Sequence, residues 1–288
     1  MNVHNVHTVG VVGAGQMGAG IAHVAAAAGF DVVLTDIEAA VVERAIESID
    51  RNLDRQIKKG TVTPSQKSEA LNRITGSTHL AEHRRADLVI ESAEESYPIK
   101  AEIFRQLDEL CPPPTILASN TSSISITRLA AVTGRPDLVI GMHFMNPVPL
   151  MRLVEVVRGL ETSHETVATV FQIAESMEKT PVECNDHPGF VSNRLLMPMI
   201  NEAVFAVADG VASAAAVDQI MTLGMNHPMG PLSLADLIGL DNCLSVMRIL
   251  HEELGDPKYR PCPLLVRMVD AGLLGRKSGR GFFDYRED

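Results

Sequence analysis

The chain has no cysteines spaced for chemistry. Its four, at positions 111, 184, 243 and 262, form no C-x-x-C pair and no metal-ligand spacing. Free thiols in a reducing cytoplasm are expected, and neither a disulfide framework nor a metal site is. A long hydrophobic run is also missing. The longest, around Ala19 to Phe30, is interrupted by His23 and is too short to span a bilayer. The stretch Met1 to Thr8 has neither a charged start nor an apolar core, so no signal peptide is expected there. Positive charge is scarce: 25 Lys+Arg face 36 Asp+Glu, a net −11. That balance argues against nucleic acids and anionic membranes as general partners, and an anionic substrate would need a local basic patch. There is no internal repeat and no low-complexity tract.

What is present is a chain of 288 residues, 45% of them hydrophobic, enough for a sizeable core and for two domains. Its most informative segment is Thr8 to Gly18. A short apolar strand runs into Gly13-Ala14-Gly15-Gln16-Met17-Gly18, and an alanine-rich helical pattern follows. In a dinucleotide-binding turn the first glycine permits the tight bend, the second lets the backbone approach a pyrophosphate, and the third lets the helix pack closely. The helix start offers unsatisfied N–H groups and a positive dipole end to the phosphates. Asp36 ends a second strand, Asp31 to Asp36, 18 residues beyond Gly18, close to the spacing of about 20 expected of the acid that holds the adenosine ribose. A carboxylate there repels a 2′-phosphate, and Ile37 stands where an arginine could accommodate NADP, so NAD is favoured. Asp36 could also cap the helix after Glu38, a role compatible with ribose binding.

Up to residue 184 strand and helix patterns alternate. Strands are expected at Val9–Val12, Val32–Asp36, Leu88–Ser92, Thr115–Ser119, Leu138–His143, Leu153–Val157 and Pro181–Cys184, with helices at Met17–Ala28, Ala39–Lys59, Ile99–Leu110 and Glu165–Lys179. Gly29 and Gly60 stop the first two helices. Alternation of this kind predicts an α/β fold, a doubly wound, mostly parallel Rossmann sheet. After Asp186 the pattern turns helical: one long helix at Phe190–Asp209, then Ala214–Leu223, Leu232–Ile238, Asp241–Leu254 and Leu264–Ala271, with a possible short strand at Gly281–Tyr285. The reading is therefore a dinucleotide-binding domain over 1–186 and an all-helical C-terminal domain over 187–288.

Two strands end in polar clusters. Ser119-Asn-Thr-Ser-Ser123 follows one, and Gly141-Met-His-Phe-Met-Asn146 carries His143 and Asn146 at the end of the next. In open parallel sheets ligands bind outside the carboxyl ends of strands. Glu155 lies alone in the apolar strand Leu153–Val157. A buried carboxylate must find a partner, and His143 is the natural candidate.

The segments G-A-G-Q-M-G, S-N-T-S-S, H-F-M-N-P-V-P-L-M-R-L-V-E-V, P-G-F-V-S-N-R and G-R-K-S-G-R-G-F-F, in this order, resemble the L-3-hydroxyacyl-CoA dehydrogenase family, in particular its short, bacterial-type 3-hydroxybutyryl-CoA branch. The resemblance covers essentially the whole chain. It implies a Rossmann domain followed by a helical substrate and dimerisation domain, NAD as cofactor, an acyl-CoA thioester as substrate and a homodimer. By motif, the family's catalytic histidine falls on His143, its glutamate partner on Glu155, and its serine and asparagine on Ser122 and Asn193. Cofactor contacts fall on Glu95, Lys100 and Lys277, and coenzyme A contacts on Ser48 and Arg55.

The residue types suit the implied chemistry. Oxidising a secondary alcohol needs a base for the hydroxyl proton while hydride leaves carbon. The reverse reaction needs the same group as an acid, and histidine serves both directions. Glu155 would orient the ring and favour imidazolium. Ser122 and Asn193 would hydrogen-bond the substrate oxygens. Arg51, Arg55, Lys58 and Lys59 give one helix a cationic face, although Asp50 and Asp54 are there to balance it. Taken singly, Ser122 could cap a helix over Ile124–Leu129, Asn193 could be an ordinary polar residue of a helix's first turns, and Glu95, Lys100 and Lys277 could be solvated surface charges.

The chain departs from the family pattern at Tyr97-Pro98, which puts the local loop shape in question, and in carrying Arg55 and Arg152 where lysines are common. Arg128 is also unexpected. A biosynthetic relative acting on acyl-carrier-protein thioesters and a non-catalytic, crystallin-like relative are the alternatives. A 6-phosphogluconate-type dehydrogenase is disfavoured, because Phe190–Ile200 lacks a lysine.

Overall fold

Short runs of Val, Ile and Leu make the framework of the N-terminal unit. In the computed structural model, which describes residues 6–286, they form an eight-stranded sheet: β1 (Thr8–Val12), β2 (Asp31–Thr35), β3 (Ile74–Ser77), β4 (Leu88–Glu91), β5 (Ile116–Ser119), β6 (Val139–Phe144), β7 (Leu153–Arg158) and β8 (Thr180–Asn185). Their order is β3-β2-β1-β4-β5-β6-β7-β8. Every neighbouring pair is parallel except β6 with β7. Every residue of β4, β5 and β6 is buried, as strands covered on both faces must be. The edge strand β8 is largely exposed and carries Pro181, a residue sheets tolerate at edges.

Helices α1 (Gln16–Ala27), α2 (Ala39–Lys58), α3 (Pro64–Asn72), α4 (Tyr97–Leu110), α5 (Ile126–Ala130) and α6 (His164–Ser176) connect these strands. The chain divides into two compact units at Asp186/His187. The second is helical: α7 (Ser192–Ala208), α8 (Ala214–Met225), α9 (Pro231–Ile238), α10 (Leu240–Leu254) and α11 (Pro263–Asp270). The first unit is thus the doubly wound, mostly parallel Rossmann-type fold expected, and the second the expected helical domain. None of the described helices is long and apolar enough to cross a membrane.

Several details differ from the sequence reading. Helix α3 and strand β3 were not expected. β3 is a partly exposed edge strand, Ile-Thr-Gly-Ser, with no apolar run to announce it. Helix α3 is marked only by a capping box, in which Thr63 and Gln66 satisfy each other's backbone N–H groups. The long helix expected from Phe190 begins at Ser192, because Phe190 sits at φ +49°, outside the right-handed helical region. The possible strand at Gly281–Tyr285 is only a pair of isolated bridges, Arg280 with Gly275 and with Asp284. Asp36 lies just past β2 rather than within it.

The glycine turn explains itself in contacts. Gly13 takes φ +96°, and a Cβ there would lie 2.5 Å from the Ser92 carbonyl oxygen. A Cβ on Gly18 would fall inside the van der Waals shell of the Gly13 carbonyl oxygen. A backbone atom cannot swing aside as a side chain can. Gly18→Ala should therefore cost at least about 1–3 kcal/mol, the range for forcing extra methyls into a packed site. Thermal denaturation measures this, and an unchanged melting temperature would contradict the packing described.

Candidate active site

The carboxyl ends of β1, β4, β5 and β6 share one edge of the sheet, because these strands run parallel. The glycine turn leaves β1 at this edge. No side chain caps α1, and the first N–H groups of a helix have no partner within the helix itself. A Cβ added to Gly15 would meet nothing within 4 Å, so open space lies over the helix start. Asp36 Oδ2 accepts the Ala14 N–H at 2.8 Å, and Oδ1 the Glu38 N–H at 3.3 Å. The carboxylate thus braces the turn it was expected to serve, and it does not cap α2. Gln16 donates to Asn146 Oδ1 at 3.1 Å, linking the turn to the loop after β6. Gly15, Gln16, Ser48, Asn52, Asn146 and Pro149 border one groove of about 450 Å³.

His143 and Glu155 are register partners on β6 and β7. A direct cross-strand pair on one face brings side chains into contact. His143 Nδ1 lies 2.7 Å from Glu155 Oε2, with the residues 8% and 4% exposed. With a carboxylate as acceptor, Nδ1 carries a proton and donates.

The turn after β5 gathers on a single carboxylate oxygen. Glu95 Oε1 accepts the Thr121 hydroxyl at 2.6 Å, the Ser122 N–H at 3.0 Å, the Ser122 hydroxyl at 3.3 Å and the Ser123 hydroxyl at 3.0 Å. Burial pushes the Glu95 carboxyl up. The Lys100 charge and these donors outweigh it and hold the group below the usual carboxylate range. Ser122 therefore caps no helix; Ser125 caps α5, accepting the Arg128 N–H at 3.2 Å.

Lys100 is no solvated surface charge. It is 1% exposed, and its ammonium lies 2.7 Å from Glu91 Oε1, 3.1 Å from the Ala93 carbonyl and 3.3 Å from Glu95 Oε2. Sequence reasoning missed Glu91, although it carries the signal that exposed Glu155: a lone acid in an apolar strand. It missed Asn120 too. That side chain accepts the Phe144 N–H at 2.8 Å and donates to Ser92 Oγ at 3.2 Å, lacing together the loops after β4 and β5 and the end of β6.

The two unexpected residues belong to one contact. The Arg128 guanidinium lies 3.9 Å from the centre of the Tyr97 ring, a cation–π stack joining α4 to α5. Pro98 occupies the first turn of α4, where proline is tolerated. On α2 the acids thought to balance the cations are engaged elsewhere: Asp50 and Asp54 both bind Lys67 of α3, at 2.8 and 2.5 Å. Arg55 is left with Asn52 Oδ1 at 3.2 Å and no ion pair among the described residues.

Asn193 and Lys277 belong to the helical unit. Asn193 is half-buried in the first turn of α7. The Lys277 ammonium is 2.6 Å from Asp241. The tail bearing Lys277 is anchored by Asp236, fully buried, which accepts the Phe282 and Phe283 N–H groups at 3.0 Å each and the Tyr285 hydroxyl at 3.1 Å. The described cysteines are free. Burial pushes the Cys111, Cys184 and Cys243 thiols up, to about 11, 12 and 12, so none of these three is a thiolate at neutral pH.

Comparison with known proteins assigns this arrangement. Residues 8–187 match the model of the 3-hydroxyacyl-CoA dehydrogenase NAD-binding domain, and residues 189–285 that of the same family's C-terminal domain. A probable 3-hydroxybutyryl-CoA dehydrogenase of Bacillus subtilis is 58% identical over 96% of this chain and 96% of its own. A 3-hydroxybutyryl-CoA dehydrogenase of Bradyrhizobium diazoefficiens is 53% identical over 98% and 96%. The crystal structure of (S)-3-hydroxybutyryl-CoA dehydrogenase from Ralstonia eutropha superimposes with a TM-score of 0.95 at 51% identity, covering 98% of this chain and 99% of that one. The chain belongs to the 3-hydroxyacyl-CoA dehydrogenase family. It is an NAD-dependent oxidoreductase.

The glycine turn fits that cofactor through the uncapped start of α1 and the open space at Gly15. Gly15 has an ordinary φ of −65°, so alanine is accommodated there. Gly15→Ala should leave stability within about 0.5 kcal/mol yet weaken NADH binding about tenfold or more, because the methyl fills the approach to the helix N-terminus. Fluorescence titration with NADH tests this, and unchanged affinity would remove Gly15 from the pyrophosphate site.

Proposed function

We propose that this enzyme interconverts 3-hydroxybutyryl-CoA, or another short 3-hydroxyacyl-CoA, and the corresponding 3-oxoacyl-CoA, with His143 as general acid/base. The observation that carries the reading is the 2.7 Å contact between His143 Nδ1 and Glu155. It commits one ring nitrogen to the carboxylate and leaves proton exchange with the substrate oxygen to Nε2. NAD supplies the hydride acceptor in oxidation and, reduced, the donor in the reverse direction. As the hydroxyl loses its hydrogen, Nε2 takes the proton and Glu155 stabilises the resulting imidazolium. In reduction the imidazolium returns that proton to the forming alkoxide. Ser122, on the turn organised by Glu95, and Asn193, on α7, hydrogen-bond the substrate oxygens. Glu95 and Lys277 flank the cofactor, and Asp36 serves the adenosine ribose. Ser48 and Arg55 receive the coenzyme A end. The engagement of Asp50 and Asp54 with Lys67 supports this last assignment, because it frees the Arg55 charge for a phosphate.

Assembly is part of the same reading: the helical unit pairs with a second copy of the chain. Helix α8 is turned inside out. Its Ile220, Leu223 and Met225 are 59%, 78% and 62% exposed, while Asp218 is buried and accepts the Leu232 and Ser233 N–H groups at 2.8 and 2.9 Å. Leu195 on α7 is also exposed, whereas Met197, Ile200 and Leu232 fill the unit's own core. Exposed apolar area of this kind marks an interface. Light scattering at micromolar concentration should give twice the chain mass, and a monomer would remove the assignment.

Acetoacetyl-CoA-dependent oxidation of NADH is the direct test of activity, run beside longer acyl-CoAs and the acyl-carrier-protein thioester. Turnover only of the carrier-bound substrate would replace the coenzyme A assignment. His143→Ala should lose about 10²–10⁴-fold in kcat while still binding NADH. Glu155→Gln should also slow turnover, and the two losses should not multiply, because the residues act as one unit. Near-normal turnover in His143→Ala would sink the mechanism. Losses that multiply cleanly in the double variant would break the pairing alone.

A further inference from the structure

Beneath the turn after β5 lies a charge relay that starts at Glu91, a residue that neither the family motifs nor the proposed mechanism uses. Glu91, the last residue of β4, is 0% exposed, and Lys100 is 1% exposed. Glu91 Oε1 lies 2.7 Å from the Lys100 ammonium and accepts the Ala93 N–H at 2.7 Å. Its other oxygen accepts the Ser119 hydroxyl at 2.6 Å. Lys100 in turn reaches Glu95 Oε2 at 3.3 Å, and the opposite oxygen of Glu95 holds Thr121, Ser122 and Ser123. Three links, Glu91 to Lys100, Lys100 to Glu95 and Glu95 to Ser122, thus run from a strand end to the serine assigned to the substrate.

A buried ion pair is a weak source of stability, since desolvating two charges offsets most of their attraction. It is a strong constraint on position, because each charge tolerates few placements in a low-dielectric interior. The Glu91 side chain is enclosed, held by Lys100 on α4, Ser119 on β5 and the Ala93 N–H just past β4. Glu95, by contrast, has a side chain 38% exposed, so nothing but its partners keeps it under the turn. Without Lys100, Glu95 is an ordinary acid at a loop; without Glu91, Lys100 is a buried ammonium that must seek another partner.

We infer that Glu91 is a positioning residue for the reaction: acting through Lys100, it sets the Glu95 carboxylate and thereby the turn that presents Ser122. The inference rests on the reading of Ser122 as a substrate-binding group. It gives Lys100 a different task from the cofactor contact expected by motif, since the ammonium is enclosed by protein groups.

The test is a kinetic cycle. Kcat and KM for NADH and acetoacetyl-CoA are measured for Glu91→Gln, for Lys100→Met and for the neutral pair Glu91→Gln/Lys100→Met, each with and without Ser122→Ala. Glu91→Gln should lose about 10- to 100-fold in kcat, the scale of a misplacement of about 1 Å, with KM for NADH changed less than about threefold. In the Ser122→Ala background the same substitution should cost less than about threefold, because residues on one path are non-additive. A merely structural role would produce the same fold-loss in both backgrounds. Wild-type kcat in Glu91→Gln, or equal losses with and without Ser122, would overturn the proposal. Should Glu91→Gln fail to fold around its stranded ammonium, the neutral pair decides. It should match Lys100→Met alone, and a further loss beyond that single variant would show that Glu91 does not act through Lys100. Failure of the underlying reading is distinguishable, because it would appear as unchanged kcat and unchanged KM for acetoacetyl-CoA in Ser122→Ala alone.

Discussion

A histidine and a carboxylate buried side by side on adjacent strands are costly unless they satisfy each other, and the 2.7 Å contact of His143 with Glu155 meets that demand. Much of the sheet's design follows from it. The pairing needs β7 to run antiparallel to β6 in a register that sets residue 143 against 155. It is the one antiparallel junction of the described sheet, and β8 then pairs with β7 in parallel to close the edge. A slip of one residue would send Glu155 to the opposite face and strand both groups.

The same economy of buried charge recurs at the end of β4 and within the helical unit. Glu91 meets Lys100, Asp218 meets the start of α9, and Asp236 meets the tail after residue 281. In each case an acid is withdrawn from water and surrounded by donors, so position is fixed at little net stability. The exposed stripe of α8 is the converse: apolar side chains left in water while its acid is taken inside.

How much of this was legible in sequence depended on whether the signal was local. The glycine turn was readable because each glycine answers a backbone need within a few residues: Gly13 at positive φ, Gly18 against the Gly13 carbonyl. The strands β4, β5 and β6 were readable to within a residue because full burial leaves unbroken apolar runs. The edge strand β3 was not, since an edge strand of Ile-Thr-Gly-Ser buries too little to differ from a loop. Lys100 read as a cofactor contact by resemblance and otherwise as a surface charge, because nothing in Tyr97-Pro98-Ile99-Lys100 says that the fourth residue turns inward. That depends on Glu91, nine residues earlier and on another element. The Tyr97–Arg128 stack shows the same limit: two residues odd in isolation account for each other once α4 and α5 are brought together.

The clip of Lys67 on Asp50 and Asp54 has a consequence for the speed of encounter. A coenzyme A thioester is multiply anionic, and the protein carries −11. At low ionic strength the two repel over a long range, and at physiological ionic strength, where the Debye length is about 8 Å, most of that distant repulsion is screened. On the proposed assignment, attraction to Arg55 acts only at close range, where Asp50 and Asp54 are engaged by Lys67. That assignment implies that salt added from low ionic strength hastens association by screening the distant repulsion more than the near contact, the reverse of the behaviour of enzymes that steer their substrates with a field of opposite sign.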